Sequence, residues 1–304
     1  MKVINQIHSF IRAIKKMIFQ EHSSEAQMLL LGKLLSENVK SRKHVKSISE
    51  VEFKVFSQFG DDGIIQWLIS NLEFSHNTFI EFGVEDYRES NTRFLMMNDN
   101  WSGFVLDGSK QNVVNIANSE YFWRYELFVK AAFIDCSNIN ELLSTCPFDK
   151  EVGILHIDLD GNDYWIWKEI CVISPILVIL EYNSVFGLDR AITVPYDKNF
   201  NRTKAHYSNL YEGASLRALH QLSAKKGYSF IGCNTAGNNA YFVRNDKLNS
   251  VIRPIPIEEG YVVSKFRESR GRNGKLTYVA GDKRSGIISG MPVYNTITGK
   301  VERF

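Results

Sequence analysis

Cysteine is scarce in this chain of 304 residues: Cys136, Cys146, Cys171 and Cys233 form no C-x-x-C pair. That excludes a disulfide framework and a zinc cluster, and suits reduced, partly buried thiols in a cytosolic protein. Six prolines and 20 glycines are too few for a low-complexity or fibrous chain. No sign of charge dominates, since 36 basic and 34 acidic residues leave a net charge of +2; no global field argues for nucleic acid. No apolar run approaches the roughly 18 residues of a membrane span. Residues 3–19 are broken by Arg12, Lys15 and Lys16, unlike the continuous apolar core of a secretory signal. A G-x-G-x-x-G fingerprint is also missing, which disfavours a dinucleotide.

What remains is an ordinary globular composition, 44% hydrophobic and 23% charged, long enough for one large α/β domain. Charge is unevenly placed. Residues 1–50 carry nine basic against four acidic residues, the rest 27 against 30. Ile4, Ile7, Ile11, Ile14 and Ile18 recur at helical spacing, so 3–19 read as an amphipathic helix with a basic face. Such a helix commonly packs on its own domain or on a second copy in a homodimer; it also fits an anionic membrane surface as peripheral contact. Residues 24–38 read as a second helix and the polar stretch 39–49 as a linker. The expected domains are a helical extension over 1–50, a body over 51–250, and a β-rich tail or lid over 251–304.

The body alternates apolar strands (78–82, 103–107, 128–134, 153–158, 176–181) with helices (90–98, 109–118, 138–145, 163–171). Continuous apolar strands such as VGILHID suit a parallel sheet covered on both faces. The alternation predicts a doubly wound, mostly parallel α/β sheet. Segments 228–233 and 240–244 flank the turn-rich NTAGNN and close it as an antiparallel hairpin.

The most informative spacing is that of Glu81, Asp107, Asp135, Asp158 and Glu181. Each closes or follows a strand, one strand–helix unit apart, so all five fall on the ligand-binding edge of the sheet. Gly83 allows a tight turn after the first strand, while Glu85, Asp86 and Glu89 make that loop acidic. A cationic ligand suits it better than a pyrophosphate. Asp107 stands where an acid holds the hydroxyls of an adenosine ribose.

FSQFGDDGIIQWL, FIEFGVEDYRESNTRFL, GFVLDGS, ILHIDLDGNDYWIWKEI and PILVILEYNSVFG, in this order, resemble bacterial S-adenosylmethionine-dependent methyltransferases of the FkbM-like type. The resemblance spans roughly 50–245. It implies a Rossmann-like class I methyltransferase fold, S-adenosylmethionine as cofactor, and often a place in polysaccharide or sugar modification. Glu81 and Gly83 would flank the methionine part, Asp107 the ribose, and Asp135 with Phe133–Ile134 the adenine. Val84, Glu85 and Asp86 depart from the small residues of many such enzymes.

Asp158 is expected beside the reactive end, as a catalytic acid or as a metal ligand with Glu181 and Asn183 for Mg²⁺ or another divalent cation. His156 reads as a hydrogen-bonded core histidine. His206, in the long 184–211 segment, is a candidate general base or acceptor contact. The expected activity is methyl transfer to a hydroxyl of a sugar, nucleotide-sugar or glycan precursor, as in capsule or O-antigen synthesis. Its place would be the cytoplasm, also peripherally at the inner membrane. The alternative is a non-catalytic relative of the fold with a binding or regulatory role.

Overall fold

The computed structural model describes residues 24–304; the expected helix over 3–19 lies outside them. Helix α1 covers 24–40. Seven strands form the central sheet: β1 (Thr78–Phe82), β2 (Ser102–Asp107), β3 (Leu127–Ala131), β4 (Ile154–Ile157), β5 (Leu177–Glu181), β7 (Tyr228–Cys233) and β8 (Asn239–Arg244). Their order is β3-β2-β1-β4-β5-β8-β7. The first five are mutually parallel, and β8 runs antiparallel between β5 and β7. This is the Rossmann-like sheet with a closing hairpin that the alternation predicts. Chain order reverses between β1 and β4, and the carboxyl ends of those strands frame the ligand crevice of such sheets.

Successive residues of each strand face opposite sides. Ile80, Phe82, Leu106, Leu155, Ile157, Val178 and Leu180 bury one face beneath α5 (Ile139–Ser144), α6 (Asp163–Glu169) and α8 (Leu216–Lys225). Phe79, Val105, Ile154, Leu177 and Ile179 bury the other beneath α2 (Asp61–Asn71), α3 (Arg93–Asp99) and α4 (Lys110–Ala117). Each fully buried aliphatic side chain contributes about 1.5–3 kcal/mol, so both helical layers are held chiefly by these two faces.

Three boundaries differ from expectation, each for a local reason. β3 stops at Ala131 rather than 134, because the Asn138 side chain accepts from the Asp135 amide (2.9 Å) and donates to the Phe133 carbonyl (2.8 Å), turning the strand out of the sheet. Helix α3 begins at Arg93, not near 90, because Ser90–Thr92 are pinned to Glu81. The stretch 39–49 is no free linker: α1 runs to 40, Val39 and Ile48 are buried, and the Trp67 indole donates to the Arg42 carbonyl (2.8 Å).

The tail is built into the molecule. β6 (Ile192–Thr193), β9 (Pro292–Asn295) and β10 (Lys300–Arg303) make a second sheet over a small core that includes Phe186, Val194, Tyr211 and Ile288. Between the two sheets, residues 262–269 run without regular structure as a strap held by Tyr182 Oη to the Val262 carbonyl (2.5 Å) and by Ser184 to Ser264 (2.7 Å). Among the described residues no helix is long and apolar enough to cross a membrane.

Candidate functional site

A cleft of about 510 Å³ opens at the carboxyl edge of the sheet, lined by Glu81, Gly83, Asp107, Asp158 and Glu181 from the ends of β1, β2, β4 and β5. Four of the five strand-end acids therefore share one cavity, as the topology requires.

Glu81 is buried and fully engaged. Oε1 accepts from the Asn91 amide (3.1 Å) and His156 Nδ1 (2.9 Å); Oε2 accepts from Ser90 Oγ (2.6 Å), the Thr92 amide (3.3 Å) and Thr92 Oγ1. Burial alone would raise its pKa, but His156, Ser90 and Thr92 outweigh that and hold it below the ordinary carboxylate value. Burial disfavours protonated His156, yet the bond and charge of Glu81 lift its pKa. Glu81 thus shapes the loop after β1 and has little capacity left for a ligand.

That loop carries strain. Glu85 and Tyr87 have φ of 48° and 62°, a region that side chains avoid. Gly83 has φ 72°, and a Cβ there would run into the Asp158 carbonyl oxygen. Only glycine serves where the β1 turn passes the end of β4. Asp107 fastens the far side of the loop: Oδ2 accepts from the Glu85 amide (2.9 Å), Oδ1 from the Ser109 amide (2.7 Å) and Asn112 Nδ2 (3.0 Å).

At the β4–β5 end acids crowd together. Oxygens of Asp158, Asp163 and Glu181 lie within 4.8 Å of one another. Burial and the Asp160 charge push Asp158 up to about 6; burial and Asp158 push Asp163 up to about 7. Glu181 rises well above its ordinary value through burial and Asp158. Glu212 does so through burial, although Arg202 pulls it down. Arg202, on the short helix α7 (Arg202–Ala205), pairs with Asp160 (2.6 Å), Glu212 (2.8 Å) and Glu268 of the strap. Phe266 of the strap stacks on Phe59 (5.6 Å between centroids), and both rings line the cleft.

Three expected site residues stand outside the cleft's lining. Asp135 ties down the turn that precedes α5, accepting from Ser137 N (2.7 Å), Ser137 Oγ (2.5 Å) and Asn138 N (3.1 Å), and pairs with Lys198 (3.1 Å); the Ser137 bonds and Lys198 pull it down to about 2. Phe133 and Ile134 beside it do line the cavity. Asn183 donates to the Leu210 and Glu212 carbonyls (2.9 and 3.0 Å) and accepts from the Val185 amide (2.9 Å). Its side chain is spent on the loop after β5, so the expected Asp158–Glu181–Asn183 metal set is not assembled. Asp163 takes its place beside the two acids, with both oxygens already accepting from the Leu159 and Gly161 amides (2.8 and 3.0 Å). His206 bonds Ser208 (2.7 Å) and packs on Tyr207; burial and Arg272 lower its pKa.

Sequence reasoning passed over Arg202, Glu212, Asn239, Phe59 and Phe266. All lie off the strand ends counted by spacing. The asparagine-rich NTAGNN turn was the one signal available for Asn239.

No sequence-family profile matches the chain, and no curated protein is similar to it. Solved structures align at low identity. The N-terminal domain of EvdMO1, in the presence of SAH and D-fucose, is 10% identical over 69% of this chain and 93% of its own, with a TM-score of 0.38. An S-adenosylmethionine-dependent methyltransferase from Clostridium acetobutylicum is 10% identical over 60% and 90%, TM-score 0.37. The CurJ carbon methyltransferase is 8% identical over 65% and 57%, TM-score 0.41. At such scores the case for function rests on the cleft itself.

Proposed function

We propose that the chain is an S-adenosylmethionine-dependent O-methyltransferase of the FkbM-like kind, acting on a hydroxyl of a sugar or glycan precursor. The observation that carries this reading is the cradle at the strand-order reversal. Gly83 passes against the Asp158 backbone where no side chain fits, in an acidic loop fastened by Asp107. A cradle of this kind takes a ligand close to the backbone. Its acidic lining fits a sulfonium and an ammonium better than a pyrophosphate. Gly83, Asp107, Phe133 and Ile134 would hold the cofactor; when bound, it supplies an electrophilic methyl group.

The chain's own residues then have two tasks. The strap ring Phe266 and the acids around Arg202 orient the acceptor, which supplies most of the rate in a displacement. Asp158, poised near 6, is ionised at neutral pH and close enough in pKa to take the hydroxyl proton on its carboxylate. Glu181, whose pKa burial and the Asp158 charge raise, lies beside it. We derive no step through a metal, because Asn183 is committed elsewhere.

Calorimetric titration with S-adenosylhomocysteine tests the reading. Saturable binding is expected, and turnover that persists in excess chelator and declines below about pH 6. No binding at millimolar ligand would refute it, and full loss of turnover to chelator would restore the metal.

A further inference from the structure

The β4–β5 end of the cleft is rich in hydrogen-bond acceptors and poor in cations. Asn239, 4% exposed, sits opposite Glu181 in the β5–β8 ladder. Its Nδ2 donates to Asp61 Oδ1 (3.0 Å), which fixes the amide orientation, since a flipped oxygen would face a carboxylate. Oδ1 is left buried without a partner in a side chain that lines the cleft. Asn162, 6% exposed, repeats the arrangement: Nδ2 donates to the Asp197 carbonyl (2.9 Å) and Oδ1 has no partner. The Glu212 carboxylate lines the same end and is ion-paired through Oε2 with Arg202 Nε (2.8 Å).

Among the described residues Arg202 is the only guanidinium or ammonium lining this cleft, and it is consumed by Asp160, Glu212, Glu268 and the Asn209 carbonyl. Buried acceptors left without donors are costly, so a ligand that brings donors to them is favoured. A phosphate or carboxylate brings no donors at neutral pH and adds charge of the wrong sign.

We propose that the acceptor is an amino sugar, or another polyol bearing a protonated amine, whose ammonium and hydroxyls satisfy Asn239, Asn162 and the Glu181–Glu212 carboxyls. This rests on the methyltransferase reading and names its substrate class. Phe59, Phe266 and Phe200 line the same cleft and give the apolar face of a sugar ring a surface to lie on.

The test is titration at pH 7 of the protein, free and saturated with S-adenosylhomocysteine, with glucosamine, glucose, glucuronate and glucose 6-phosphate. Glucosamine should bind at least about tenfold tighter than glucose, as a charge-assisted pair allows, with the two anions weaker still. Glu212→Gln and Asn239→Leu should each compress the glucosamine-to-glucose ratio. Equal affinity for glucosamine and glucose, tighter binding of either anion, or no sugar binding at all overturns the inference. Failure of S-adenosylhomocysteine to bind sinks the methyltransferase reading instead, and the free-protein titrations still decide this one.

Discussion

Gly83 and Asp107 show how much a single position is asked to do. Gly83→Ala adds a Cβ against the Asp158 carbonyl at φ 72°. Left-handed backbone alone costs a non-glycine residue about 1–2 kcal/mol, and the clash must move β1 or β4. S-adenosylhomocysteine binding should vanish in a variant that still melts cooperatively; retained affinity would place the ligand elsewhere. Asp107→Ala behaves differently from a pure ligand contact, because its carboxylate serves three protein donors. Orphaning the Glu85 and Ser109 amides costs about 1–3 kcal/mol each, so the ligand-free melting temperature should fall along with affinity. An unchanged melting temperature would show that the loop does not depend on this carboxylate. Asp107 was legible from strand-end spacing and Gly83 from the turn that follows the first strand. Asp135 had the same credentials as Asp107 but ties down the turn before α5, because spacing locates an acid at a strand end without telling which way its carboxylate turns.

Among the elements, the strands and helices of the body were legible because two-faced burial leaves continuous apolar runs. The loops that supply Arg202 and Glu212 were not, since their pairing is made only when α7 and the strap meet over the sheet. The resulting acid cluster sets a pH dependence. Asp158 is pushed up to about 6 and Asp163 to about 7, and Glu181 and Glu212 also rise, burial being the first cause throughout. Buried Asp62, at about 6, joins them. Between the unfolded carboxylate range near 4 and these values the native state binds more protons than the unfolded chain, so stability falls as pH rises. His156, whose pKa is raised, acts in the same direction: its contribution is present below about 6.5 and lost as pH climbs through its folded pKa. Glu81 and Asp135, held low, act oppositely but only below about pH 4. His206 and His220, lowered by burial, oppose it more weakly because they are only partly covered. The ligand-free protein should therefore melt at a higher temperature at pH 5 than at pH 7.5, and Glu212→Gln should flatten the difference. A profile that rises over this interval would mean that a bound cation neutralises the acids.

On the scale of the whole molecule, α1 is fastened to the body along one face while its outer face stays apolar. Gly32 lies against Phe94 and Val55, where a Cβ would not fit. Ser36 Oγ donates to Gln66 (2.5 Å), Arg93 pairs with Glu25 (2.8 Å), and Lys40 pairs with Asp99 (3.0 Å). Outward, Met28, Leu30, Leu31, Leu34 and Leu35 are 39–63% exposed, an apolar stripe of the kind that promotes association. Every residue lining the cleft lies at Gln58 or beyond. Deleting 1–40 uncovers Phe94 and leaves Arg93 and Gln66 short of partners, a loss on the scale of a large core truncation, about 2–5 kcal/mol. The truncated protein should thus melt lower, yet bind S-adenosylhomocysteine with unchanged stoichiometry at low temperature. With the stripe gone, sedimentation should show less self-association than in the full chain. Loss of binding in a truncated protein that remains folded would mean that the extension reaches the cleft, and the boundary between it and the body would have to be redrawn.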